Sequence, residues 1–170
     1  MTRLLAVLAA ALVLAAPASA QRFPAPTGYV NDFANIIPAE REAEITRVID
    51  EVRQKSGGEI VVATVESLDG LPLDKYALDM AREWGIGSRG EPGDPARNTG
   101  VLILVVARET SPDGRGHLKI ELGTNANAFI TATEAGRIAD ADIIPSFRNG
   151  DYGTGILLGV IGIAGQFAER

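Results

Sequence analysis

The chain of 170 residues contains no cysteine and one histidine, His117. Without thiols it has no disulfide bonds, no cysteine nucleophile and no thiolate metal ligands. A single imidazole also excludes a zinc site built from several histidines. Any metal site in this chain therefore depends on carboxylate and amide oxygens, which are the ligands that calcium prefers.

Two common ligand-binding motifs are absent, and basic residues are in the minority. The chain has neither a G-x-x-x-x-G-K-[ST] phosphate loop nor the D-x-D-x-D-G run of an EF-hand. It has 16 basic and 22 acidic residues, for a net charge of −6. This charge argues against nucleic acid and against anionic membrane surfaces as partners. It suits a cationic ligand or a divalent metal.

The first 20 residues have the pattern of a secretory leader. Arg3 precedes the apolar run Leu4 to Ala16, which is shorter than the roughly 20 residues that span a membrane. Ala18-Ser19-Ala20 is an A-x-A cleavage signal. We therefore expect a signal peptide over residues 1–20, cut before Gln21, and one periplasmic or secreted domain over residues 21–170. An uncleaved anchor is the alternative interpretation.

Hydrophobic periodicity predicts three strands and four helices in the rest of the chain. Two strands are wholly apolar and rich in β-branched residues, which is typical of strands buried on both faces. The third strand alternates polar and apolar residues, as a strand with one solvated face does. The predicted strands are 60–65, 101–106 and 118–122, and the predicted helices are 38–55, 73–84, 134–145 with Thr133 as its N-cap, and 154–168.

This order of elements predicts an α/β fold, a three-layer α/β/α sandwich with a small mixed, partly parallel sheet. The first two strands should pair in parallel through a right-handed crossover, and the third should form an antiparallel hairpin with the second. The glycine-rich apolar stretch 155–165 is too short to span a membrane, so we expect a core helix there rather than an anchor.

Six segments of the chain together resemble the TPM domain family. They occur in the order "GYVNDFA", "GGEIVVATV", "YALDMAREWGIG", "NTGVLILVV", "AGRI" and "IIPSFRNGDYGTGI". The family includes YgcG-like bacterial envelope proteins and thylakoid-lumen proteins of photosystem II repair. The resemblance covers residues 23–159 and implies an α/β/α sandwich outside the cytoplasm. It also implies two functional possibilities, acid phosphatase activity and binding of calcium or another divalent cation.

The segment "GTNANAFITATEAGRI" departs from the family pattern. Asn127 stands where relatives have Glu, and Ala132 stands where they have Asp. Thr124, Asn125 and Ala128 replace a tyrosine and two glycines. The amide oxygen of Asn127 is still a possible calcium ligand, but Ala132 offers none. If this loop is the family's active or metal site, the resemblance implies that the site is weakened in this chain.

The chain retains six side chains that we consider candidate metal ligands, because hard cations bind Asp and Asn oxygens. Each also has a structural alternative. An Asn-Asp pair often bonds backbone amides in an Asx-type turn, an Asp before a helix often caps it, and a long loop is often a solvated flap. The candidates are Asn31, Asp32, Asp94, Asn98, Asn127 and Asp151.

These observations predict a protein-binding or accessory module with weak or no divalent-metal binding. Its cation would be Ca²⁺ or another divalent ion, and its partner an envelope or membrane protein. The alternative is a metal-dependent acid phosphatase-like hydrolase, although two carboxylates of the family's loop are missing. The sequence identifies no catalytic residue, since a lone histidine on a strand, His117, is more often structural.

Overall fold

The computed structural model describes residues 22–88 and 97–169, and in these residues four strands form one mixed sheet in the order β1-β2-β3-β4. The first three strands are parallel and the fourth is antiparallel to the third, which confirms the predicted pairings. The sequence did not predict β1, because three residues are too few to show an alternating pattern. The strands are β1 (Val30–Asp32), β2 (Ile60–Val65), β3 (Val101–Val106) and β4 (His117–Leu122).

Five α-helices surround the sheet in the described part of the chain. They are α1 (Ala39–Ser56), α2 (Leu73–Glu83), α3 (Ala132–Ile138), α4 (Ile144–Arg148) and α5 (Tyr152–Ala168), and a π-helical turn joins α3 to α4. Helix α1 ends where Gly57 adopts a left-handed conformation, as glycine does at helix ends. The predicted N-cap Thr133 is wrong. The N-cap of α3 is Thr131, whose hydroxyl accepts the N–H of Glu134.

Side chains of β2 and β3 alternate between two apolar layers. Ile60, Val62, Val101, Ile103 and Val105 pack against α1 and α5 on one face of the sheet. The intervening residues of both strands pack against α2 on the other face. Because both strands are covered on both faces, the three-layer α/β/α sandwich is confirmed. The polar side of β4 faces the α2 layer, where its side chains are half-buried.

The two crossover connections have opposite hands. Both β1–α1–β2 and β2–α2–β3 move the chain in the same direction along the sheet, but α1 and α2 lie on opposite faces. One of these two units is therefore left-handed, which is uncommon for parallel strands. The chain therefore leaves the carboxyl ends of β1 and β2 toward opposite faces. Such a divergence opens a crevice, and crevices of this kind are where α/β sheets often bind ligands.

Helix α5 is part of the core, as the sequence predicted. Ile156, Val160 and Ile163 are completely buried against the sheet layer. Within residues 22–88 and 97–169, no helix has the length and apolar character needed to cross a bilayer. The predicted leader and the candidate ligand Asp94 lie outside the described residues, as does the rest of 89–96.

Candidate functional site

The crevice between β1 and β2 is occupied by the protein's own chain. The carboxylate of Asp32 accepts the backbone N–H groups of Ile36 at 3.1 Å and Ile37 at 2.8 Å. The hydroxyl of Thr64 donates to the same carboxylate and accepts the N–H of Ala34 at 3.1 Å. These bonds hold the turn that leads from β1 into α1. Asp32 thus stabilises the β1–α1 connection at the point where its chain leaves the sheet.

Asn31 is also bonded to backbone, and its side chain is only 1% exposed. Its Oδ1 accepts the N–H groups of Thr27 at 2.7 Å and Gly28 at 3.3 Å. Its Nδ2 donates to the carbonyl of Gly28 at 2.9 Å and to that of Val62 at 3.2 Å. Both residues of the Asn-Asp pair therefore make the local backbone bonds of the Asx alternative. Their role as metal ligands stays a prediction.

Asp151 and Tyr152 fix the start of α5. Asp151 accepts the N–H of Thr154 at 3.0 Å, which confirms the predicted helix cap and lowers the pKa of the Asp151 carboxyl. The Tyr152 hydroxyl accepts the N–H of Arg108 at 3.2 Å and donates to Glu109. Burial raises the pKa of Tyr152, and the bond to Glu109 raises it further. The β3–β4 hairpin is thereby attached to α5.

At the other end of the sheet, beside the amino end of β3, three glycines and Asn98 make close backbone contacts. A Cβ on Gly87 would lie 2.4 Å from the nitrogen of Gly100, and a Cβ on Gly123 would lie 2.2 Å from the carbonyl oxygen of Asn98. Asn98 has a φ of 60°, which Asn tolerates better than most residues, and its carbonyl accepts the N–H of Asn125 at 2.9 Å. These contacts form a closely packed backbone floor.

A cleft of about 370 Å³ lies on this floor, between the end of α2 and strands β3 and β4. Burial raises the pKa of the Glu121 carboxyl, and nearby Asp74 adds to the effect, whereas Lys119 and Arg82 oppose it. Glu121 is therefore protonated more easily than an ordinary Glu. The cleft combines apolar and charged side chains, among them Leu78, Arg82, Ile86, Arg97, Asn98 and Glu121.

The structure does not bring to one place the five predicted metal ligands that lie within the described residues. Asn31, Asp32 and Asp151 lie at the end of the sheet formed by the carboxyl ends of β1 to β3. Asn98 and Asn127 lie at the opposite end. These two ends of the sheet are about 17 Å apart, which is the length of a six-residue strand. In the part of the chain that the structure describes, no three His, Asp or Glu side chains are grouped as metal ligands.

The sequence did not predict the role of Thr64 at one end of the sheet or of the charged residues that line the cleft at the other end. Thr64 is a polar residue within an otherwise apolar strand, and this exception was a usable signal. Glu121 lies on the polar side of an alternating strand, where burial by α2 was not predictable. Arg82 lies at the end of α2 and Arg97 lies shortly before β3, and only the fold shows that both line one cleft with Glu121 of β4.

The solved structures similar to this chain include two N-terminal domains and one further bacterial protein. The N-terminal domain of a protein from P. gingivalis is 25% identical, with a TM-score of 0.68, and the match covers 83% of this chain and 82% of that one. The N-terminal domain of cg2496 from Corynebacterium glutamicum is 17% identical, with a TM-score of 0.59 and coverage of 82% and 79%. The BA42 protein from Bizionia argentinensis is 19% identical, with a TM-score of 0.61 and coverage of 78% and 82%.

The fold and the family comparison agree with the resemblance seen in the sequence. No curated protein matches this chain. The family model of the TPM domain matches residues 30–166, from β1 to near the end of α5. The match therefore includes both ends of the sheet and the cleft. The chain belongs to the TPM domain family.

Proposed function

We propose that this TPM domain is an exported accessory module that binds an envelope or membrane protein, with weak or no divalent-metal binding. The observation that carries the proposal is the apolar character of α5 on its solvent side. The leader-like sequence of residues 1–20 supports export. Mass spectrometry of the natural protein tests export: we expect a mature chain that begins at Gln21, and an intact leader would contradict it.

The α5 outer face, which we define as Thr154, Leu158, Ile161, Gly165 and Ala168, contains no charged residue. Its spacing of four, three, four and three residues places all five side chains on one side of the helix. Leu158 is 41% exposed and Ile161 is 47% exposed, and they are the large hydrophobic residues that are exposed in the described part of the chain. The outer side of a surface helix normally carries polar residues, so this apolar stripe indicates a contact surface.

The α5 outer face continues into an apolar groove between α1 and α5. The groove has a volume of about 680 Å³ and is lined by both helices and by an aromatic residue that follows β4. Two of its aromatic rings, Phe129 and Phe167, pack on each other with centroids 5.0 Å apart. The groove and the outer face share Ile161, and they form one surface on which a partner helix can bury apolar side chains.

Charge favours a partner with basic residues beside its apolar helix. The chain has a net charge of −6, and a second copy would bring the same negative charge to the interface. Asp142, beside Gly162 on the α3 side of the surface, has no ion-pair partner among the described residues. A partner with Lys or Arg at the ends of an apolar helix would be attracted by the negative charge of the chain and could pair with Asp142.

In vivo photo-crosslinking tests this proposal. The full chain, with a photo-crosslinking residue at position 161, is expressed in its natural host. We expect crosslinks to an envelope protein, and mass spectrometry should locate them in an apolar helix flanked by Lys or Arg. A synthetic peptide of that helix should bind the purified protein, and Leu158→Glu should weaken its binding at least tenfold. Thr46→Glu, on the solvent side of α1, is the matched control and should leave binding unchanged.

Three outcomes would contradict the partner proposal. Crosslinks only to lipid would show that the surface contacts a membrane. Crosslinks only between two copies of the chain would show a dimer interface. A peptide that binds Leu158→Glu as tightly as the wild type would place the partner elsewhere on the molecule.

A second candidate function is the phosphatase-like hydrolase, and Glu121 is the observation that favours it. A carboxyl group whose pKa is raised by burial is a suitable general acid. A phosphate-ester assay with Ca²⁺ or Mg²⁺ at mildly acidic pH separates the two functions. Turnover that is lost in Glu121→Gln and kept in Glu51→Gln would favour the hydrolase. The accessory module predicts no turnover by the wild type.

A further inference from the structure

Among the described residues, the cleft at the amino end of β3 is lined by two arginines and one carboxylate, although the whole chain is acidic. We propose that this cleft binds an oxyanion, a carboxylate or phosphate group on a ligand with an apolar part, through Arg82 and Arg97. The cleft lies beside α2, whereas the α5 outer face lies in the layer on the other side of the sheet. The inference is therefore independent of the partner surface, and it requires binding but no turnover.

The charges around the cleft favour an anion. Lys119 pairs with Asp74 at 2.6 Å and lies 3.9 Å from the carboxylate of Glu121, so it adds little positive potential for a ligand. Arg82 and Arg97 have no ion pair with any acidic side chain in residues 22–88 and 97–169. Among the described lining residues, Arg82 and Arg97 contribute +2 and an ionised Glu121 contributes −1, which leaves +1. Guanidinium groups bind carboxylate and phosphate oxygens in pairs of parallel hydrogen bonds.

The remaining lining of the cleft selects for an apolar group attached to the anion. Leu78, Ile86, Leu102 and Leu122 line the cleft beside the charged residues. Its floor is held by backbone contacts at Gly100 and by the bond from Gly123 N–H to the Gly100 carbonyl at 2.9 Å. A ligand therefore meets a floor whose backbone is already hydrogen-bonded, which limits the affinity lost to ordering of these residues.

Glu121 makes anion binding depend on pH. Its ionised carboxylate repels an anion, and its pKa is raised, so the repulsion is removed as pH falls through that raised value. The charged groups that face Glu121 are Lys119, Asp74 and Arg82. Because Lys119 and Arg82 stay charged, affinity for an anion of constant charge should increase toward acidic pH. Benzenesulfonate is such an anion, since it stays ionised throughout this range.

NMR titrations of the full mature chain test the proposal with defined probes. Phenyl phosphate and phenylacetate distinguish a phosphate source from a carboxylate source, and benzyl alcohol is the neutral control. We expect saturable shifts of the amides of Gly100 and Gly123 with at least one anionic probe and none with benzyl alcohol. Benzenesulfonate should bind more tightly at pH 4.5 than at pH 7.5.

Variants of the arginines supply the specificity control. Arg82→Gln and Arg97→Gln should each weaken binding of the anionic probe about tenfold, the loss expected for one charge-assisted contact. Arg47→Gln, an exposed position on α1 in the opposite layer, should leave it unchanged. The proposal is overturned if no anionic probe produces saturable shifts, if benzyl alcohol binds as tightly as the anions, or if both arginine variants bind like the wild type.

Discussion

The carboxylate of Asp32 accepts two backbone N–H groups and one hydroxyl where β1 and β2 separate. The sequence permits two interpretations of this residue, because Asn-Asp pairs occur both in turns and in calcium sites. The structure adds Thr64, which lies 32 positions further along the chain. No local pattern shows that contact, so the sequence predicts the type of bond that Asp32 makes but not its most distant partner.

Asp32→Ala should lower the free energy of unfolding by about 2 to 4 kcal/mol, because it leaves two N–H groups and a hydroxyl without their charged acceptor. Urea unfolding of the mature chain measures the change. Asp140→Ala, at an exposed position, is the control and should change stability by less than about 0.5 kcal/mol. A loss below about 1 kcal/mol in Asp32→Ala would contradict the structural role of this carboxylate.

Gly123→Ala should destabilise the protein by about 2 kcal/mol or more, because the added Cβ lies 2.2 Å from the Asn98 carbonyl oxygen and backbone must move to admit it. Gly136→Ala is a matched control in the middle of α3, where a Cβ meets no atom within 4 Å. That change should stabilise the protein by roughly 0.5 to 1 kcal/mol. Equal thermal midpoints for the two variants would contradict the packing at the cleft floor.

At the level of elements, the sequence before α3 contains a local pattern that identifies the start of the helix. Thr131 and Thr133 both precede Glu134 in "TATEAGRI". A capping box needs its Thr three residues before its Glu, and only Thr131 has that spacing. In the structure the Glu134 carboxylate accepts the N–H of Thr131 at 2.7 Å, which completes the box. The helix therefore begins two residues earlier than predicted.

Thr131→Ala should cost about 1 kcal/mol of unfolding free energy, the usual effect of losing an N-cap. Thr133→Ala should change it by less than about 0.5 kcal/mol, because Thr133 is exposed within the first turn. Chemical denaturation of both variants makes the comparison. A larger loss in Thr133→Ala than in Thr131→Ala would show that the helix begins where the sequence interpretation placed it.

The cap of α5 predicts a pH dependence. Hydrogen bonds to Thr154 lower the pKa of Asp151 in the folded chain. A lowered pKa stabilises the fold above the unfolded value of about 4, and this contribution is lost as pH falls through the folded value. Asp151→Asn keeps a capping oxygen without the charge. We expect the wild type to be more stable than this variant at pH 7 and the difference to narrow below about pH 4.

Unfolding of both proteins in urea between pH 2.5 and pH 7 measures this difference. The same series on Asp50→Asn, at a residue that pairs with Arg53 on the surface of α1, is the control for general charge effects. A stability difference for Asp151→Asn that stays constant over this range would contradict a charged cap.

At the scale of the whole molecule, the sequence predicted three of four strands and the three layers, because buried parallel strands and amphipathic helices have distinct periods. It did not predict that α1 and α2 leave adjacent strands toward opposite faces. It also did not predict the cleft, which is assembled from the end of α2, the start of β3 and the end of β4. Such sites depend on contacts between distant segments, and local patterns do not encode them.

The two proposed binding surfaces of the domain lie on opposite sides of the sheet. The apolar α5 outer face and the α1–α5 groove lie in one layer, and the cleft with Arg82 and Arg97 lies beside the other. Between them, the Asn-Asp pair is bonded to the domain's own backbone. This division supports a module that binds ligands at its two outer layers and uses Asp32 to hold its chain in place.

Calorimetric titration of the mature wild-type chain with calcium tests this account most directly. If Asp32 is structural and the domain is a binding module, calcium should bind with a dissociation constant no tighter than about 10⁻⁴ M, the range of weak extracellular sites. Asp32→Ala should then lose stability without changing the titration. A dissociation constant below about 10⁻⁵ M that is abolished in Asp32→Ala, with the variant still folded, would show a metal site at Asp32 and contradict the account.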